Sequence, residues 1–89
     1  MSAAEVHIAG CVAFVRAEAA PALVHSIVAS GLAEVPAEDG RGRLVILIER
    51  ASARQVLDSI DAIRALPGVL AVHLAYQHAE SAADLEELT

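Results

Sequence analysis

The sequence predicts an α+β domain whose four strands and two helices follow one another as βαββαβ. Three observations carry this prediction. Four apolar runs have strand length, two intervening stretches repeat their apolar residues at helical spacing, and proline or glycine stands at most of the joints.

The first strand is expected over residues 5–16. It is apolar almost throughout, with Val6, Ile8, Val12 and Phe14 on one parity and Ala9, Cys11, Ala13 and Val15 on the other. Such a strand has both faces covered, or one face waiting for a partner. Arg16 and Glu18 end it. Pro21 then fits the first turn of a helix, where its missing N–H is not needed. Leu23, Val24, Ile27 and Val28 recur on one side of that helix, and Gly31 supplies the left-handed residue that stops it.

Residues 32–35 are expected as a short strand closed by Pro36, and residues 36–42, with one Pro, two Gly and two acids, as a hairpin loop. Residues 43–49 form the clearest strand, its five central residues all aliphatic. Ser52 and Gln55 have the spacing of a capping box. The helix they open carries Val56, Leu57, Ile60 and Ile63 toward the core and Arg54, Asp58, Asp61 and Arg64 away from it. Leu66, Pro67 and Gly68 end the helix, and the last strand runs over 69–76. From Gln77 the chain turns polar and acidic, with Leu85 and Leu88 enough for a marginal terminal helix. The expected organisation is one domain, 1–80, and an acidic C-terminal tail, 81–89.

Two interleaved right-handed βαβ units place one strand of each between the strands of the other. The result is a ferredoxin-like fold: a four-stranded antiparallel sheet in the order 4-1-3-2 with two helices on one face. The opposite face is left bare.

Composition narrows the function. The chain of 89 residues has a formal charge of −6, and all six basic residues are Arg. Nucleic-acid affinity rests on phosphate neutralisation, so this charge excludes a nucleic-acid partner and favours a basic one. A single cysteine allows no internal disulfide. The N-terminus lacks the charged and apolar regions of a secretory signal. The apolar runs fall well short of the roughly 20 residues of a membrane helix. A cytoplasmic protein without stable membrane association is expected.

The bare sheet face points to binding. An antiparallel sheet with one wet face alternates apolar and polar residues, yet Val45 and Leu47 are as aliphatic as Leu44, Ile46 and Ile48. Two helices cover only one of these sets. In the last strand the bulkier set, Leu70, Val72, Leu74 and Tyr76, is expected inward, which leaves Ala71, His73 and Ala75 outward. In the first strand Gly10, Val12 and Phe14 are expected outward, with Gly10 as a flat place for close approach. An uncovered apolar patch of several hundred Å² marks an interaction site. Its burial is worth several kcal/mol at roughly 25 cal/mol per Å², before association costs. A weak homodimer through this face and capture of an apolar peptide are both consistent with it.

Catalytic readings fail on the residues. His7, His25, His73 and His78 with Cys11 lack the paired spacing of a metal site. Cys11 beside an outward His73 would make a thiolate pair, but a thiol in apolar surroundings is inert. Arg16 stands where an acylphosphatase places its phosphate loop, yet Ala17, Glu18, Ala19 and Ala20 offer a negative charge and no glycine. Glu38, Asp39 and Gly40 lack the alternating oxygens of a calcium loop. No enzyme activity, metal or cofactor is expected.

The segment Leu66-Pro67-Gly68-Val69-Leu70-Ala71-Val72-His73-Leu74-Ala75-Tyr76-Gln77-His78, with Asp61-Ala62-Ile63-Arg64 and Leu44-Val45-Ile46-Leu47-Ile48-Glu49 before it, resembles the NapD family. The likeness covers most of residues 6–80. It weakens at Gly10-Cys11-Val12, where the family usually carries a Ser-Leu-Val type strand. The resemblance implies a small cytoplasmic chaperone. It would bind the twin-arginine signal peptide of the periplasmic nitrate reductase catalytic subunit and delay export until cofactor insertion. The outward parity of the three strands then puts the peptide site on Gly10, Val12, Phe14, Val45, Leu47, Ala71, His73 and Ala75. Glu34, Glu38, Asp39 and Glu49 would be the acidic partners for the arginines. A rival of another class shares the topology and the Pro-Gly-Val turn: an ACT-like regulatory domain that dimerises through its sheet and binds a small molecule.

Overall fold

The computed structural model describes residues 5–81. Strand β1 (Glu5–Val15) leads through a single 3-10 turn at Ala17–Ala19 into helix α1 (Ala20–Ala29). Strands β2 (Glu34–Glu38) and β3 (Arg43–Arg50) form a hairpin. Helix α2 (Ala53–Arg64) and strand β4 (Val69–Ser81) complete the chain. The sheet order β2-β3-β1-β4 is the expected 4-1-3-2 read from the other edge, and every pairing is antiparallel. The region of Leu85 and Leu88 lies outside the described residues.

Local chemistry sets the helix ends. Pro21 lies in the first turn of α1. Gly31, at φ 75°, closes that helix: its N–H reaches the Val28 carbonyl and the Leu32 N–H reaches that of Ile27. Ser52 caps α2 by accepting the Gln55 N–H at 3.1 Å, while the Gln55 side-chain oxygen accepts the Ala51 N–H at 3.1 Å. The capping box therefore closes one residue upstream of its usual partner.

The core lies between the helices and one parity of the sheet. Ala9, Cys11, Ala13 and Val15 of β1, Leu44, Ile46 and Ile48 of β3, and Val72 of β4 are buried against Leu23, Ile27, Val56, Ile60 and Ile63. Each large aliphatic side chain removed from water contributes about 1.5–3 kcal/mol relative to an exposed one, so this parity is strongly specified. Arg50 ties three elements together. Its guanidinium donates to the carbonyls of Gly31, Leu32 and Glu49 and to Ser59 Oγ, the buried hydroxyl of α2.

The structure corrects several expectations. Strand β2 covers 34–38 rather than 32–35, with Pro36 inside it; an edge strand tolerates the missing N–H, and the register shifts between Glu34 and Ala37. Strand β4 continues five residues past Tyr76 because Glu5–Ala9 of β1 extend far enough to pair with it. Val28 and Leu57, expected inward, lie on exposed flanks of their helices. The largest correction concerns β4. Of Leu70, Val72, Leu74 and Tyr76 only Val72 is buried; Leu70 is 64% exposed and Tyr76 52%. Register shifts between Phe14 and Val15 and between Gly10 and Cys11 leave Leu70 and Ala75 as extra residues opposite β1. Each bulge reverses the alternation that a regular strand would keep.

Candidate functional site

The uncovered face of the sheet is built in transverse rows. Directly opposed residues of antiparallel strands point to the same side, so the pairing registers define the rows. Glu49, Ile8 and His78 form one; Glu34, Leu47, Gly10 and Tyr76 the next; then Ala37, Val45, Val12 and His73; and finally Arg43, Phe14 and Ala71. The middle of this surface is apolar, and no helix covers it. Val45 is 44% and Phe14 37% exposed, while Ile8, Val12, Leu47 and Ala71 are half-buried among one another.

Of the face residues expected from sequence, Gly10, Val12, Phe14, Val45, Leu47, Ala71 and His73 lie together here. Ala75 does not take the place expected for it. As the bulge residue it leaves the alternation, and Tyr76 arrives on the outer face instead. The Tyr76 ring lies over the backbone of Gly10, where a Cβ would overlap it. On the next row the Phe14 and His73 rings meet edge to face, with centroids 5.4 Å apart and planes at 89°. Sequence reasoning missed Tyr76 and Ile8 as outer-face residues. Ile8 shares the parity of Gly10, Val12 and Phe14 and was legible from it; nothing in an all-apolar strand announces the bulge that turns Tyr76.

The four acids separate. Glu34 and Glu49 are exposed on the outer face, and their carboxylates make no hydrogen bond or ion pair among the described residues. Glu38 pairs with the buried Leu44 and so belongs to the helix side of the edge strand. Asp39 is already engaged. It accepts the N–H groups of Arg41 and Arg43 at 2.8 and 3.0 Å and pairs with the Arg43 side chain at 2.5 Å. The Arg43 guanidinium and these two N–H groups hold its carboxyl at about 2, below the usual 3.8. Asp39 organises the β2–β3 hairpin.

Cys11 and His73 point to opposite faces. Cys11 is opposite Leu74 and buried among core residues, whereas His73 is opposite Val12 on the outer side. Burial pushes the Cys11 thiol up against a smaller opposing effect of Arg64, so it remains a neutral thiol. Two histidines pair with neighbouring acids, His7 with Glu5 at 2.9 Å and His78 with Glu80 at 2.6 Å. No group of three or more metal-ligating side chains assembles among the described residues. What this surface offers is apolar area with carboxylates at one end.

Comparison with known proteins identifies the family and matches the fold. A family model described as NapD protein matches residues 6–81. The fold is similar to the solution structure of the E. coli Tat proofreading chaperone protein NapD, with a TM-score of 0.75 and 24% identity, over 86% of this chain and 81% of that one. No curated protein sequence matches the chain.

Proposed function

The chain belongs to the NapD family, and we propose that it is a chaperone for maturation of a periplasmic nitrate reductase. In this reading it binds the twin-arginine signal peptide of the catalytic subunit in the cytoplasm and delays export until the cofactor is inserted. The observation that carries the reading is the apolar outer face of the sheet, bordered at one end by the free carboxylates of Glu34 and Glu49. A twin-arginine signal peptide has the complementary composition, a basic head followed by an apolar stretch. Burial of the stretch supplies affinity, and charge pairing selects the head. Family membership sets aside the ACT-like alternative. A weak homodimer through the same face would compete with the peptide.

The action is stoichiometric and needs no cofactor on the chaperone itself. Among the described residues no helix is long and apolar enough to cross a membrane. Nitrate reductase chemistry belongs to the client.

Calorimetric titration with a synthetic signal peptide tests the function. Binding should carry a negative heat-capacity change from apolar burial and should weaken as salt screens the charge pairing. Replacing both peptide arginines with glutamine should weaken it further. Equal affinity for the two peptides would remove the electrostatic part of the proposal, and no heat with either would remove the function.

A further inference from the structure

The outer face is not symmetric along its length, and the asymmetry bears on how a peptide lies there. At one end Glu34 of β2 and Glu49 of β3 point to the same side. Because Glu34 is directly opposite Leu47, Glu34 and Glu49 stand on a diagonal of neighbouring strands, a spacing of about 7–8 Å that long side chains can close. They line a cleft of about 390 Å³ whose apolar wall includes Leu47 and Val28. Arg50 borders the same cleft and keeps its charge, but four of its five N–H groups are held by three carbonyls and a hydroxyl and it pairs with neither carboxylate, so the two acids leave the cleft one negative charge in excess.

At the other end no open carboxylate faces the outer side. Arg43 stands opposite Phe14, and the hairpin carries Arg41 and Arg43 with two acids: Glu38, whose register places it on the helix side, and Asp39, which both arginine backbones and the Arg43 side chain already hold. A guanidinium arriving there would meet Arg43 and an Asp39 that is already engaged; one arriving at Glu34 and Glu49 would meet two open carboxylates. Between the two ends, the seven residues of β1 from Ile8 to Phe14 span about 20 Å of apolar surface.

We infer that the site has a direction: the paired arginines of the bound peptide sit at Glu34 and Glu49, and its apolar segment runs from there across Gly10 and Val12 toward Phe14 and Ala71. The inference rests on the peptide-binding function proposed above and deepens it. Glu38 and Asp39, the other two acids near this edge, take no part in recognition. Charge position, and not net charge alone, then decides which way the peptide lies.

Two measurements on the full chain test the direction. In the first, the double variant Glu34→Gln/Glu49→Gln should weaken binding of the twin-arginine peptide about tenfold, as two exposed pairs would. It should leave binding of the Arg→Gln peptide unchanged. Glu38→Gln removes an acid on the helix side and should alter affinity less than about twofold. The second needs no variant: a nitroxide at the N-terminus of the peptide should broaden the amide signals of Ile8 and Glu49, and one beyond its apolar segment those of Phe14 and Ala71. An N-terminal label that broadens Phe14 and Ala71, or an equal loss in Glu38→Gln and the double variant, overturns the direction while the binding function stands. Absence of binding to the unaltered protein overturns both.

Discussion

The ring of Tyr76 lies directly over Gly10, in the space a β-carbon would need. This relationship joins two edges of one fact. Gly10 makes the outer face of β1 flat at its centre, and the bulge at Ala75 delivers an aromatic ring onto that flat place.

The packing predicts a spectroscopic mark. The Gly10 α-protons should show a ring-current shift in the NMR spectrum that disappears in Tyr76→Ala. In Gly10→Val the new side chain displaces the ring. Because the Tyr76 ring is half-exposed and free to swing outward, the domain should stay folded and lose about 1 kcal/mol, a few degrees in melting temperature. Unfolding by Gly10→Val would mean that the ring is locked in place.

The two faces of the sheet should respond oppositely to charge. Leu44 and Val72 are buried among core residues, so Leu44→Asp or Val72→Asp leaves a carboxylate without water or partner and should prevent folding. Val45 and Ala71 point away from the helices. Val45→Asp or Ala71→Asp should keep the native circular-dichroism spectrum and melting temperature within a few degrees while removing peptide binding. Retained binding in both outer variants would place the site elsewhere.

Much of this parity was legible in the sequence, and the exceptions share a cause. In β3 the strand is regular, so alternation alone placed Leu44, Ile46 and Ile48 inward and Val45 and Leu47 outward. In β1 the small Gly10 marked the outer parity. In β4 every residue from 69 to 76 except His73 is apolar or aromatic, so no polar residue reports where a bulge slips the register. Size was then the guide, and it failed: Leu74 faces the helix side yet lies at the sheet edge, and Leu70 and Ala75 are bulge residues. The acids were legible as a group but not as individuals. Residue type cannot say that Asp39 is consumed by its own hairpin or that Glu38 faces the helix side.

Asp39 should leave its signature in the acid limb of stability. Its carboxyl titrates at about 2 in the folded hairpin, against an ordinary 3.8, because Arg43 and the N–H groups of residues 41 and 43 favour the charged form. A lowered folded-state pKa adds stability that is complete above the ordinary carboxylate range and is lost as pH falls from about 4 toward 2. Asp39→Asn should therefore melt below the unaltered protein at pH 7, with the gap closing as pH approaches 2. A gap independent of pH would show that the charge is not what the hairpin uses.

Cys11 should be silent in the native state. Its burial keeps the thiol protonated and shielded, so a thiol reagent at neutral pH should react on the timescale of unfolding and rapidly once denaturant is added. Fast native labelling would put Cys11 at an accessible surface.

The most direct measurement is amide chemical-shift mapping during titration with the twin-arginine signal peptide. Shifts should concentrate at Gly10, Val12, Phe14, Val45, Leu47, Ala71, His73 and Tyr76 and at Glu34 and Glu49, with the exposed residues of α2 unmoved and those of α1 unmoved apart from Val28, which borders the Glu34 and Glu49 cleft. Shifts confined to the helices, or spread along the outer edge of β4 without the face of β3, would contradict binding on the uncovered sheet.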